Sequence, residues 1–272
     1  MTQTFEGCRF QYMAANLWLK ICGVTDEADA AQAAELGTDA IGLNFYKESP
    51  RYVTVDKAEL IIRAIPKPVD IVGIFVSDYS PDAMNSMNDT RHLPLQVIQV
   101  HGPDQDLGFH IIRARRRFRR PLRASGVRWI PAFSVSEKED LVKIRGFLKQ
   151  CKRKGTEMPG ERPSDLVAWM NKPPQKGPYF YPEAILVDAR VPGQIGGTGK
   201  TAPWELLADF QPEVPLILAG GLTPENVAQA VRIVRPYGVD VASGVEKSPG
   251  RKDPDKMKRF INNAREAAEQ LQ

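Results

Sequence analysis

The sequence has few cysteines and no long apolar run. Its three cysteines, Cys8, Cys22 and Cys151, stand far apart in 272 residues, which excludes a disulfide framework and the paired spacing of a zinc knuckle. No stretch approaches the roughly 20 apolar residues of a membrane-spanning helix. The first residues, MTQTFEGCRF, lack the basic and apolar segments of a secretory signal. We therefore expect a protein of a reducing, cytoplasmic setting with no membrane partner.

The charge balance is almost even, so it does not by itself require a nucleic acid partner. Lysine and arginine number 37 against 33 Asp and Glu, a net charge of +4. One short segment could pair with nucleic acid phosphates, because it holds seven arginines: Arg113, Arg115, Arg116, Arg117, Arg119, Arg120 and Arg123. Only Phe118 could stack on a base within it, so a solvated helix face is favoured. We expect no nucleic acid partner.

Short apolar segments alternate with amphipathic ones along most of the chain. Eight apolar segments predict strands: Leu17–Ile21, Ala40–Phe45, Asp70–Val76, Leu95–Val100, Arg128–Phe133, Ala184–Asp188, Leu216–Ala219 and Val239–Ser243. Eight strands alternating with helices close a parallel (β/α)8 barrel. A doubly wound open sheet is the competing arrangement, but no GxGxxG follows the first strand. We predict an α/β protein with a single TIM barrel.

The predicted helices between the strands carry capping signals. Four of them begin with an N-cap signature: Thr25, Ser136 with Glu139, Thr223 with Pro224, and Asp253 with Pro254. Two further helices are predicted at Pro81–Arg91 and Leu107–Phe118 from the spacing of their apolar residues.

Two stretches interrupt the alternation. Residues 1–16 precede the first strand and are predicted to be an N-terminal extension. Residues 152–182 are rich in Lys, Pro and Gly without a clear period, which predicts a surface insertion between the fifth helix and the sixth strand. The barrel domain would then comprise 17–272.

A phosphate site is predicted from small residues that follow the seventh and eighth strands. Active sites of such barrels lie where the strands end, and phosphates often bind at these two loops. The small residues are Gly220, Gly221, Ser243 and Gly244. Glycine lets backbone N–H groups approach an anion, and the helices that follow add positive dipole ends. The alternative is that the glycines only turn tight corners.

Cys22 and Asp188 are the candidate acid–base pair. Cys22 ends the first strand near a helix start, where the dipole would lower its thiol pKa into the range of a base. A buried apolar cysteine is an equal alternative. Asp188 ends the apolar strand AILVD, where desolvation would favour a proton-holding general acid; an Asp that caps a turn is the alternative. The GGTGK run beyond it lacks the spacing of a nucleotide-binding loop.

Two further residues could bind a substrate. His101 ends the fourth strand and could orient a substrate, although a strand-end histidine is often structural. Arg51 lies in a loop and suits a carboxylate, although it could equally be a solvated charge.

Seven segments, taken in order, together resemble phosphoribosylanthranilate isomerases: LKICGVT, DAIGLNFYKESPRYV, VGIFV, VIQVHG, ILVDARVPGQIGGTGKTAPW, LILAGGLTPENV and GVDVASGVEKSPGRKD. The resemblance extends from about Leu17 to Ala264. It departs at 1–16 and between Pro103 and Pro182, where this chain is longer and more basic.

The resemblance implies an isomerase of tryptophan biosynthesis that acts without metal or organic cofactor. Its reaction, the third step from chorismate, is an Amadori rearrangement of N-(5-phosphoribosyl)anthranilate to 1-(2-carboxyphenylamino)-1-deoxyribulose 5-phosphate. The resemblance implies that Cys22 removes the C2′ proton and that Asp188 protonates the furanose ring oxygen. It places Arg51 at the anthranilate carboxylate and matches His101 and Asp240 to further substrate positions. We expect a monomer or a homodimer.

Two neighbouring activities are alternatives. Indole-3-glycerol-phosphate synthase shares the phosphate loops but needs a lysine-based acid–base arrangement, for which Lys20 is the only candidate at the barrel mouth. A barrel that also accepts a bisphosphate aminoimidazole substrate would need additional phosphate contacts near the second and third loops, and the sequence has no sign of them.

Overall fold

The strands form a closed barrel. The computed structural model describes residues 17–76, 86, 89–102, 128–153, 182–189 and 204–271. Eight parallel strands pair in sequence order and the first pairs with the last, which confirms the predicted TIM barrel. They are β1 (Trp18–Cys22), β2 (Ala40–Asn44), β3 (Asp70–Val76), β4 (Val97–His101), β5 (Arg128–Ser134), β6 (Ile185–Asp188), β7 (Leu216–Ala219) and β8 (Gly238–Val241).

Helices connect these strands on the outside of the barrel. Those described are α1 (Glu27–Glu35), α2 (Val55–Ala64), α3 (Lys138–Arg153), α4 (Trp204–Ala208), α5 (Val227–Val234) and α6 (Pro254–Glu269), with 3-10 turns at Thr90–His92 and Ser243–Val245. The helix predicted at Leu107–Phe118 lies outside the described residues, as do most of Pro81–Arg91 and 152–182 and all of 1–16. None of the described helices has the length and apolar character needed to cross a membrane.

Strand alternation gives the barrel two faces. Side chains such as Leu19, Ile21 and Leu43 are fully buried between the strands and the helices. The opposite face fills the barrel interior with a separate apolar cluster: Ala40, Val72, Val97, Ile130, Ala132, Ala184, Leu186, Ile217 and Ala219. Residues two positions further along these strands therefore lie inside the barrel, nearer its carboxyl-end mouth.

The helix caps differ in part from those predicted. Asp26, not Thr25, caps α1, since its carboxylate accepts from the N–H groups of Ala28 and Asp29; the Thr25 hydroxyl instead donates to the Gly250 carbonyl at 2.6 Å. Asp253 caps α6 as predicted.

The cap before α3 uses a different acidic residue from the one predicted. The Asp140 carboxylate, not that of Glu139, accepts from the Ser136 N–H and hydroxyl. It also accepts from the Glu137 N–H. These bonds and Lys143 lower the pKa of Asp140 to about 2, although partial burial opposes them.

A small antiparallel hairpin that the sequence analysis did not predict lies between β8 and α6. Its strands are β9 (Glu246–Ser248) and β10 (Arg251–Lys252). The Lys252 N–H donates to the Asp29 carboxylate at 2.8 Å, so the hairpin is fixed to α1, beside the mouth of the barrel.

Candidate active site

Three of the predicted site residues lie on the inner face at the mouth. Cys22 and His101 are the last residues of β1 and β4, and Asp188 is the last residue of β6. Asp188 follows the inward-facing Leu186 by two positions, so its carboxyl group faces the same interior. All three residues are partly accessible, as groups that meet a substrate must be.

A buried polar layer lies directly beneath these residues. The Lys20 ammonium donates to the Gln99 Oε1 at 2.7 Å and pairs with the Asp240 Oδ1 at 3.1 Å. Lys20 is only 1% exposed and Asp240 8%. Burial alone would lower the pKa of Lys20, but Asp240 and Cys22 raise it above its usual value. Lys20 is therefore a charged, paired group below the mouth.

The polar layer also determines the state of His101. Because the Gln99 carbonyl oxygen accepts from Lys20, the amide nitrogen faces the His101 Nε2, at 2.7 Å. The amide donates there, so the ring carries its proton on Nδ1. Burial, reinforced by the charge of Lys20, lowers the pKa of His101 to about 4. The imidazole is neutral around pH 7.

The electrostatics of Cys22 differ from the expectation of a helix-activated thiol. Burial raises the pKa of the thiol, and the Asp240 carboxylate raises it further. Lys20 and Lys252 act in the opposite direction. Helix α1 begins only at Glu27, and a helix dipole acts mainly within its first turn. Side-chain cations, not the helix, therefore favour the thiolate.

Arg51 is fixed at the mouth by a bidentate ion pair. Its Nε and Nη2 both donate to the Glu246 carboxylate, each at 2.7 Å. A Cβ at residue 23 would overlap the Arg51 side chain, and Gly23 has a φ of +66°. Glycine is therefore required after Cys22 for both backbone and packing reasons.

Lys252 joins this ion pair to the ends of two strands. Its side chain is fully buried, and its ammonium donates to the Cys22 carbonyl at 2.6 Å and the Ala242 carbonyl at 3.1 Å. Its third partner is the Glu246 Oε1 at 2.9 Å. All three donors of the ammonium are thus used.

The loop after β7 has the backbone expected of an anion-binding turn. Gly220 and Gly221 have φ values of +92° and +64°. The Asn226 side chain accepts from the Thr223 N–H at 2.8 Å and donates to the Gly221 carbonyl at 2.9 Å. The predicted cap Thr223 accepts from the Glu225 N–H at 3.2 Å, but it closes a turn, and helix α5 begins only at Val227.

The loop after β8 contacts this turn directly. Ser243 and Gly244 open a 3-10 turn, and a Cβ at residue 244 would overlap the Leu222 carbonyl. The four predicted phosphate-binding residues therefore lie in two loops that are in backbone contact.

Replacing Gly244 with alanine is expected to separate these loops. Backbone atoms cannot move aside as a flexible side chain can, so we expect a loss of about 1–3 kcal/mol in the free energy of unfolding. We also expect inorganic phosphate to inhibit the catalytic turnover of this variant more weakly. Denaturant unfolding and phosphate inhibition measure both effects. Gly146→Ala is the control, because nothing lies within 4 Å of a Cβ there; this helix substitution should stabilise the protein by up to about 1 kcal/mol. Equal stabilities for the two variants would contradict the prediction.

Comparison with known proteins identifies the family. A family model described as N-(5'phosphoribosyl)anthranilate (PRA) isomerase matches residues 19–126 and 179–263. The chain belongs to the phosphoribosylanthranilate isomerase family. It is an isomerase of tryptophan biosynthesis, as its sequence resemblance implied. Residues 127–178, which the family model leaves unmatched, include most of the predicted insertion.

Individual relatives agree over nearly the whole chain. An N-(5'-phosphoribosyl)anthranilate isomerase of Trichlorobacter lovleyi is 37% identical over 92% of this chain and 98% of its own length. The crystal structure of phosphoribosylanthranilate isomerase from Thermotoga maritima is 31% identical, with a TM-score of 0.67 over 92% of this chain and all of its own. A solved isomerase in complex with reduced 1-(o-carboxyphenylamino)-1-deoxyribulose 5-phosphate is 30% identical, with a TM-score of 0.63 over 92% of this chain and 100% of its own.

The sequence analysis missed three polar residues around the site, Gln99, Glu246 and Lys252, and considered a fourth, Lys20, only for a rival activity. Lys20 and Gln99 precede Cys22 and His101 by two positions, so strand alternation could have placed them on the same inner face. Glu246 and Lys252 depend on the hairpin, for which the sequence carried no recognised signal. The pairing of Lys20 with Asp240 also removes the basis for a lysine-based acid–base site like that of indole-3-glycerol-phosphate synthase.

Proposed function

We propose that this isomerase rearranges N-(5'-phosphoribosyl)anthranilate between two groups on opposite sides of the barrel mouth, with Asp188 as acid and Cys22 as base. The observation that carries the proposal is that both residues end barrel strands and face the same interior. The Asp240 carboxylate raises the pKa of Cys22, and Asp188 in turn adds to the rise in the pKa of Asp240 that burial causes. Both groups thus interact electrostatically with the Asp240 carboxylate beneath the mouth.

The first step is ring opening. Asp188 gives its proton to the furanose ring oxygen while the C1′–O bond breaks. The nitrogen lone pair forms the C1′=N bond, which leaves an iminium ion and a free C4′ hydroxyl. This step needs an acid that reaches the mouth, which the end of β6 supplies.

The second step is proton transfer. The Cys22 thiolate takes the C2′ proton, and the electrons of the C–H bond form C1′=C2′ and neutralise the iminium. The enol then loses its O2′ proton to the Asp188 carboxylate as C1′ takes one from the Cys22 thiol, which gives the C2′ ketone and restores both groups. No electrons enter or leave, so the rearrangement needs no redox cofactor. Within the described residues, no His/Cys/Asp/Glu cluster could hold a metal ion.

The remaining site residues would orient the substrate. The two glycine-rich loops would hold the phosphate through backbone N–H groups. The imidazole of His101 is neutral, and its Nδ1–H would donate a hydrogen bond to the sugar. Asp240 would act on the substrate from the buried polar layer beneath. Arg51, held by Glu246, would bind the anthranilate carboxylate through its remaining N–H donors.

The ligand, the oligomeric state and the location of the protein complete the proposal. We propose a small phosphosugar–anthranilate as ligand, no nucleic acid, and a monomer or homodimer located in the cytoplasm. One solved relative is described as mutually generated monomers of the dimeric isomerase of Thermotoga maritima, which supports the homodimer as one of these two states. We retain 1–16 as an extension and 152–182 as an insertion in a 17–272 barrel domain.

The test of the proposed function is a fluorescence assay that follows loss of phosphoribosylanthranilate by the purified chain. Turnover that is lost in both Cys22→Ser and Asp188→Asn supports the proposal. Wild-type turnover in both variants would remove it.

Replacing Arg51 with leucine is expected to raise KM by about ten- to a hundredfold, because a charge-assisted hydrogen bond contributes about 1.5–3 kcal/mol. The carboxylate does not react, so kcat should fall much less. Steady-state kinetics in the same assay separate the two. Arg63→Leu is the matched control, since Arg63 lies on α2 with a 73% exposed side chain. An unchanged KM for the Arg51 variant would exclude this residue from the substrate site.

A further inference from the structure

Lys20 is a fully buried, charged side chain inside the barrel, and the steps above do not use it. It lies in the middle of β1, two positions before Cys22 on the same inner face. At 1% exposure it cannot touch a substrate at the mouth. Burying a lysine side chain costs free energy unless its charge has a partner, so the role of this buried charge requires an explanation.

A glycine on the neighbouring strand β2 leaves room for Lys20 and Cys22 to approach each other. Gly42 pairs with Cys22 in the β1–β2 register. A Cβ on Gly42 would stand 3.0 Å from both the Cys22 Sγ and the Lys20 Cε. The two side chains therefore share the space that glycine leaves open, and the charge of Lys20 acts on the Cys22 thiol.

The groups that face Cys22 come from several elements. They are Lys20 on its own strand, Asp240 on β8, Lys252 on β10 and Arg51 in the loop after β2. Asp188 acts on Asp240, and His101 stands beyond Gln99 and is neutral. Asp240 is thus the negative charge that acts on the sulfur, and Lys20 is the cation that pairs with Asp240 and favours the thiolate.

We infer that Lys20 is a positioning residue for the isomerase reaction, whose buried ammonium holds the Cys22 thiolate and the Asp240 carboxylate side by side. Two anions in one desolvated pocket repel each other, and a cation between them offsets that repulsion. The bond from Lys20 to Gln99 fixes the direction from which the ammonium approaches. The inference rests on the proposed role of Cys22 as base.

The test measures the ionisation of Cys22 without substrate. Iodoacetamide alkylates only the thiolate, so the rate of labelling against pH gives the thiol midpoint, and peptide mapping separates Cys22 from Cys8 and Cys151. Removal of Lys20 alone would let Asp240 take up a proton and mask the effect. The comparison is therefore between Asp240→Asn and the double variant Lys20→Met/Asp240→Asn, which contains no unpaired buried charge.

Each substitution is expected to shift the pH midpoint of Cys22 labelling in a definite direction. Asp240→Asn should shift the labelling midpoint below that of the wild type, because a negative neighbour is lost. Adding Lys20→Met should raise the midpoint again by about one to three pH units, so that labelling at a fixed pH below the midpoint slows by about ten- to a thousandfold. The low-pH limb of kcat/KM should shift in the same direction.

A control and the opposing results complete the test. Lys57→Met in the Asp240→Asn background removes a lysine that is 37% exposed and paired with Glu27, and should leave the midpoint unchanged. Equal midpoints with and without Lys20 would overturn the inference and leave Lys20 a purely structural residue. A shifted midpoint in a protein whose Cys22→Ser variant retains wild-type turnover would instead remove Cys22 as base, while the control of the thiol by Lys20 would stand.

Discussion

Replacing Asp188 with asparagine is expected to lower kcat by about a hundred- to ten-thousandfold. An amide has nearly the shape of the carboxylic acid but no proton to give to the ring oxygen, and general acid catalysis contributes about that much. Substrate binding should change little, because the phosphate loops and Arg51 lie on other elements. The fluorescence assay under single-turnover conditions measures the chemical step directly.

The same substitution at Asp39 is the matched control. Asp39 precedes β2 at the opposite end of the barrel, where its carboxylate accepts from the Leu19 N–H at 2.8 Å. An asparagine oxygen can accept the same bond, so turnover should stay close to that of the wild type. If Asp188→Asn retained the activity of Asp39→Asn, another group would have to supply the proton.

Replacing Cys22 with serine is expected to reduce kcat by several orders of magnitude. A serine hydroxyl fits the same space but ionises far less readily than a thiol, so almost none of it is available as a base near neutral pH. Because burial and Asp240 raise the pKa of Cys22, the wild-type rate should still be rising above neutral pH. The serine variant should lose this dependence, and a pH series of kcat/KM measures it.

Cys151→Ser controls for the chemical change itself. Cys151 is buried on α3, away from the mouth, so this variant should keep the wild-type pH profile even if it is less stable. A Cys22→Ser variant with the same profile and rate as Cys151→Ser would show that the thiol takes no part in the reaction.

The fold was predictable because its signals are local. Each strand is a short apolar segment whose two faces are both covered, and the eight segments were placed to within a few residues. The prediction failed where a side chain had two possible partners. Threonine is a common N-cap residue, but the Thr25 hydroxyl donates to the Gly250 carbonyl at 2.6 Å. Asp26 caps the helix instead. No residue near Thr25 in the sequence indicates that its hydroxyl will contact Gly250, which lies 225 positions further along the chain.

The candidate site was predictable only in part for the same reason. The strand ends indicated Cys22, His101 and Asp188, since position along a barrel strand determines which side chains reach the mouth. The burial of Lys20 and its neighbours depends on distances across the barrel, which local pattern does not contain. The Glu246 carboxylate holds Arg51, a contact that depends on the hairpin and not on the local pattern.

Lys252 spans the seam where the first and last strands meet, since its ammonium joins the Cys22 carbonyl on β1 to the Ala242 carbonyl beyond β8. The closure of the barrel is thereby fixed at Cys22, the proposed base of the reaction. A chain that has not yet finished its last hairpin cannot make this connection. The surroundings of the Cys22 sulfur are thus completed only when the hairpin of β9 and β10 has formed.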